Sequence, residues 1–169
     1  DGEVEDHVAA VGVEEPALGV AKRVLDVVSE GDGVTFRVIY AIDVFNFGNV
    51  PLSDLDVTVD LATGFAEAAG FDVVDVASAE LTVNPAYDGV ADLSLLTGTD
   101  TLAVGGFGQI VLEVRVDTGG ENGPYLCSAT ATGTSPGGEV VEDESQDGDD
   151  PDPNGDGDAA DDDDPTPVD

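Results

Sequence analysis

Positive charge is what this chain has least of. Against 38 acidic residues it holds only 4 basic ones, for a formal net charge of -34. Nucleic acid and anionic membrane are thereby excluded as partners, since both would be repelled. Methionine and tryptophan are absent, histidine occurs only at His7 and cysteine only at Cys127. A single cysteine rules out an intramolecular disulfide, and no apolar run approaches the length that spans a bilayer. No stretch carries the apolar period of an amphipathic helix. A chain that begins at Asp1 without methionine or signal peptide is expected to be a processed product or an excised segment. The acid excess with so little lysine also matches proteins adapted to high salt.

Catalytic equipment is missing in the same way. His7 lies in a terminal segment, where a lone histidine is solvated, and no nucleophile motif is present. Cys127 falls on a core-facing position, whereas a catalytic cysteine needs a basic, exposed setting. No catalytic residue and no enzyme activity are expected.

What is present is valine at strand-forming density, in a chain of 169 residues, long enough for one domain with extensions. Ala17 to Val28 reads as a strand closed by the turn Glu30-Gly31-Asp32-Gly33. From Val34 to Asn46 the residues Val34, Phe36, Val38, Tyr40, Ile42 and Val44 alternate with polar ones, which predicts a half-buried strand. Leu55, Val57, Val59 and Leu61 repeat the pattern, with Asp54, Asp56, Thr58 and Asp60 on the wet face. Phe71 to Val76, Ala79 to Val83, Gln109 to Asp117, Tyr125 to Thr132 and Glu139 to Val141 supply further strands. A turn at 84–89 and a long polar connection to Ala103 separate the second and third of these. The order predicts an all-β fold, an antiparallel immunoglobulin-like β-sandwich of about seven or eight strands, over 17–142. Residues 1–16 form an extension whose apolar run, Val8-Ala9-Ala10-Val11-Gly12-Val13, is either a donor strand for another subunit or a frayed terminus.

The segment 143–169 is of another kind. Asp143, Asp152 and Asp161 each open a unit, and the first two units share the pattern D-x-[S/N]-x-D-G-D. Oxygen side chains at positions one, three and five, with glycine at six, form the first half of a calcium loop, because a hard cation gathers six to eight oxygens only if the chain turns sharply there. The candidate ligands are Asp143, Ser145, Asp147 and Asp149 in the first unit, and Asp152, Asn154, Asp156 and Asp158 in the second. Asp161 and Asp163 follow, with Asp163 at position twelve. No helix flanks the loops, so they are not EF-hands. Such a composition also describes a disordered, solvating tail. Neighbouring carboxylates about 7 Å apart repel by about 0.6 kcal/mol even in bulk water, and Ca2+ is the counter-charge the spacing fits. Asn84, Asp88 and Asp92 make a further candidate group, although these residue types are also ordinary turn formers.

Three stretches carry a resemblance: VTFRVIYAIDVFNFGNVPLSDLDVTVDL, NPAYDGVADLSLLTGTDTLAVGGFGQIVLEVRV, and GPYLCSATATGTSPGG running on into SQDGDDPDPNGDGDAADDDDPTPV. Together, from Ala17 to Val168, the chain resembles the immunoglobulin-like repeat found in tandem in bacterial and archaeal surface proteins and giant adhesins. Asn46, Gly48, Asn49 and Asp60 match that pattern. Cys127 departs from it, standing where asparagine is usual, and a single module stands where many are usual. The resemblance implies an extracellular, non-enzymatic building block joined end to end, commonly through acidic linkers.

The expected function is therefore a structural subunit of an extracellular filament or surface layer. Its partners are copies of itself or neighbouring repeats, and its acidic tail binds calcium and docks on the next unit. The alternative is an adhesin repeat that binds a surface ligand, with the tail as a calcium-stiffened spacer. Both place the protein at the cell surface or secreted, without membrane insertion.

Overall fold

The computed structural model of the chain describes residues 12–169. The run Val8–Val11 and His7 lie outside the described residues, and residues 12–17 form no strand. The elements in order are β1 (Leu18–Ser29), β2 (Thr35–Asn46), β3 (Ser53–Thr58), α1 (Leu61–Gly64), β4 (Gly70–Ser78), β5 (Phe107–Asp117), β6 (Tyr125–Cys127), β7 (Thr130–Thr134), β8 (Val140–Glu144), β9 (Gln146–Asp147) and β10 (Thr166–Val168). A 3-10 turn occupies Ala159–Asp161.

Alternation places Val38, Tyr40, Ile42 and Val44 of β2, and Ile110, Leu112, Val114 and Val116 of β5, in the core. Full burial of each aliphatic side chain contributes roughly 1.5–3 kcal/mol. These strands belong to a five-stranded sheet ordered β4-β5-β2-β1-β9. Across the core stand Leu55 and Val57 of β3, Tyr125 and Cys127 of β6 and Ala131 of β7, carried by the sheets β3-β7-β8 and β6-β10. The result is nearly all-β and sandwich-like, as the period-two pattern requires. The pairings are antiparallel except that β9 runs parallel to β1, so the larger sheet is mixed rather than wholly antiparallel.

Three local readings differ from expectation. Leu61 is buried but not in a strand, because Asp60 turns the chain into the single turn of α1: its carboxylate accepts from the Thr63 N–H at 3.0 Å and the Thr63 hydroxyl at 2.8 Å. Those bonds, the Thr63 N–H foremost, hold the Asp60 carboxyl below its usual range. Asp60→Ala is expected to cost about 1 kcal/mol in urea denaturation while Asp60→Asn costs less, as for other N-caps. Ala79 to Val83 is not a strand; only Val83 bridges, to Leu96. Tyr125 to Thr132 is broken into β6 and β7 because Ser145 captures Ala129, accepting from its N–H through Oγ at 2.8 Å and donating its own N–H to its carbonyl.

The segments around Glu14–Ala17 and around Val168 lie at opposite poles, the leading and the trailing. At the leading pole the Ala17 carbonyl accepts from Phe47 and Gly48 N–H, and the Glu14 carboxylate accepts from the Ser135 hydroxyl and Gly137 N–H. A Cβ on residue 48 would sit 2.6 Å from the Glu15 oxygen, which explains a glycine at that turn. At the trailing pole Val168 pairs with Tyr125 and borders an apolar slot of about 280 Å³ with Val27, Phe36 and Val116. β1, which runs between the poles, spans on the order of 35 Å at strand rise.

Candidate metal centre

The segment 143–169 is folded onto the sandwich. Its expected boundary falls inside β8, β9 lies against β1, and β10 pairs with β6. The Thr166 hydroxyl donates to the Lys22 carbonyl at 2.7 Å, and the Asp164 N–H donates to Gln146 Oε1 at 3.0 Å. Between these anchors the second Asp unit forms a compact loop at the leading pole, where Gly157 to Ala160 lie beside Pro16, Ala17, Leu18 and Phe47.

Within that loop the expected ligands turn their oxygens inward onto the backbone. Asp152 accepts from Gly155 and Asp156 N–H through Oδ1, at 2.9 and 3.2 Å, and from Gly157 N–H through Oδ2 at 2.9 Å. Asn154 Oδ1 accepts from Asp156 N–H at 2.9 Å, Asp156 Oδ1 from Asp158 N–H at 2.9 Å, and Asp158 Oδ1 from Ala160 N–H at 3.2 Å. Gly157, at position six, has φ +90, a conformation that other residues adopt only with strain. The Asn154 amide donates to Asp161 Oδ1 at 3.3 Å.

Asp162, which the sequence pattern passes over, closes the loop. Its Oδ2 is buried and has no hydrogen-bond partner among the described residues. Its carboxyl is pushed above the usual range by desolvation, then by Asp161, Asp152 and Asp156. Asp163 is exposed. Among four consecutive aspartates, spacing carries no signal that selects Asp162; the 3-10 turn just before it sets which carboxylate comes round.

The first unit is arranged differently. Asp143 and Ser145 lie buried along and just beyond β8, while Asp147 and Asp149 are exposed on and after β9. Extended backbone keeps these four from closing into a loop of their own. Asp143 instead joins the second unit from below. Its Oδ2 accepts from Val20 N–H at 2.7 Å, and its Oδ1 is buried without a partner among the described residues. Burial foremost, with Asp158 and Asp162 adding repulsion, pushes its carboxyl up to about 7.

Asn84, Asp88 and Asp92 form a self-bonded turn. Asp88 Oδ1 accepts from Val90, Ala91 and Asp92 N–H, and the Asn84 amide donates to Asp92 Oδ2 at 3.0 Å. Backbone N–H groups, that of Asp92 foremost, hold Asp88 below its usual range.

As the side chains stand, no group of three or more Asp, Glu, His or Cys among the described residues is drawn tightly enough to hold a metal ion. The second loop does present a chemistry that fits calcium: an oxygen-only set with two buried carboxylate oxygens, on Asp143 and Asp162, that no donor among the described residues satisfies. A buried carboxylate is expected to have a donor or a cation. Among known proteins, no family model and no curated sequence matches the chain.

Proposed function

We propose that the chain is a structural, non-enzymatic module with an immunoglobulin-like sandwich, built for end-to-end assembly outside the cell and joined through a calcium-binding acidic loop. One observation carries this reading. The segment around Glu14–Leu18 and the segment around Val168 lie at opposite poles of the sandwich, and the Asp152–Asp162 loop sits at the first of these, where another unit would abut. Units stacked pole to pole would bring that loop to every junction.

Asp152, Asn154, Asp156, Asp158 and Asp162 would hold the ion, with Asp143 beneath them. Bound calcium supplies charge neutralisation and coordination by oxygen. Without it the carboxylates of the loop repel one another and any acidic neighbour. At the far pole the apolar slot beside Val168 has room for a few small apolar side chains of an adjoining copy, and Val13 is 77% exposed in its own chain.

The full chain should be followed by light scattering while calcium is raised and then chelated. Growth into elongated particles on calcium addition, reversed by chelator and not reproduced by sodium or potassium at equal ionic strength, is the expected result. A monomer at every calcium concentration would overturn the assembly reading. An equal response to monovalent salt would assign the acidity to salt adaptation.

A further inference from the structure

The chain's only lysine is in its core. Lys22 follows Leu18 and Val20 on the inward face of β1 and is wholly buried. Its amine lies 3.6 Å from the centroid of the Tyr40 ring and donates to the Cys127 carbonyl at 3.0 Å. That bond holds the amine against the residue whose thiol, the chain's only one, is itself buried, and amine and thiol act on each other electrostatically. The Tyr40 hydroxyl, buried and close enough to feel the thiol, has no hydrogen-bond partner among the described residues.

This grouping is costly as a packing solution. A methionine or leucine would fill the position without desolvating an ammonium group. One carbonyl and one ring leave the charge poorly compensated, and burial pulls the amine down to about 8. A neutral amine, which is a nucleophile, is therefore within reach at mildly alkaline pH. The spare Tyr40 hydroxyl is available to hydrogen-bond an oxidised sulfur.

We propose that Lys22 and Cys127 are the two halves of an oxidatively formed, reducible sulfur–nitrogen cross-link that staples β1 to β6 across the core. The oxidant is a peroxide. Cys127 sulfur attacks the O–O bond, giving the sulfenic acid and one water, so sulfur is oxidised by two electrons and the peroxide is reduced. The lone pair of the Lys22 amine then attacks sulfur, the S–O bond breaks, and the departing hydroxide leaves as water with a proton from nitrogen. This parallels the condensation of a sulfenic acid with a backbone nitrogen. The balance is one thiol, one amine and one hydrogen peroxide giving one S–N bond and two waters. Burial keeps larger thiols out, so the sulfenic acid meets the amine first. The link would join positions 105 apart in sequence and two separate sheets.

The titratable groups that act on the pair are Tyr40 from β2, Tyr87 from the 84–89 turn, Asp60 at the α1 cap and Asp147 from β9. Burial also raises the Cys127 thiol, so the reaction should be slow at neutral pH and faster at pH 9. The full chain should be incubated with hydrogen peroxide at pH 9 and examined by intact mass and peptide mapping. The expected product is lighter by two hydrogen atoms, contains a linked Lys22–Cys127 peptide pair, and has no free thiol in denaturant. It unfolds at higher denaturant concentration, and dithiothreitol reverses every change. Lys22→Met and Cys127→Ser should each abolish the link. Mapping of the unmodified chain decides the matter even if a variant misfolds. Addition of whole oxygen atoms at Cys127 with Lys22 still open to acylation in denaturant, or an unchanged thiol titre, would overturn the proposal. Neither outcome touches the calcium joint.

Discussion

Asp143→Asn is expected to raise stability at pH 8 in the absence of calcium and to leave it nearly unchanged at pH 3. The Asp143 carboxyl is moved from its ordinary 3.8 to about 7, chiefly by burial, so the folded state binds its proton more tightly than the unfolded state does. The associated stability is fully present below pH 4, is lost as pH rises toward 7, and is gone above that. A displacement of this size corresponds to on the order of 4 kcal/mol. Asparagine keeps an oxygen for Val20 N–H and removes the charge that Asp158 and Asp162 repel. A gain on the order of 3 kcal/mol at pH 8 is expected, read from urea midpoints across pH. With calcium present the sign should reverse, because the variant has lost an anion that the ion would neutralise. Equal destabilisation at both pH values would show that Asp143 acts only through packing. Asp32 works in the opposite direction. The Thr35 hydroxyl first, then Val34 and Thr35 N–H, hold it down to about 2, so its contribution is present above pH 4 and lost as pH falls through 2.

Asp162→Asn should abolish the calcium-dependent rise in melting temperature, while Asp163→Asn should preserve most of it. Extracellular calcium modules bind in the range of roughly 0.1–1 mM, and a ligand at about 100 times its Kd stabilises by about 2.7 kcal/mol. The contrast arises because Asp162 Oδ2 is buried and has no hydrogen-bond partner among the described residues while Asp163 is solvated. A twelve-position loop counted from Asp152 selects Asp163 instead. Calorimetric titration of both variants separates the two registers. Retained calcium response in Asp162→Asn with loss in Asp163→Asn would restore the simple count.

Much of the strand framework was legible because its signal is local. Alternation over Val38, Tyr40, Ile42 and Val44 reports which side of one strand is buried, and all four are in the core. Cys127 lies on the buried face for the same reason. Where the pattern misled, a side chain competed with the strand: Asp60 capped a helical turn after β3, and Ser145 divided β6 from β7. The β4 reading was short by two residues at its C-terminal end, and the last strand, read as Glu139 to Val141, extends to Glu144.

The acidic segment divides along the same line. Glycine at position six and oxygens at alternate positions are a local code, and from it the sequence by itself determined that Asp152, Asn154, Asp156 and Asp158 share one loop. The all-β character was likewise set by period-two alternation. Tertiary structure alone decided that this segment lies on its own sandwich rather than leading away from it, since β9 and β10 pair with strands more than thirty positions earlier in the chain. It also decided that Asp143 leaves its own unit to sit beneath Asp158 and Asp162, and that Lys22 meets Cys127. Those meetings depend on how sheets stack and which backbone groups compete for each carboxylate, and no local spacing encodes either.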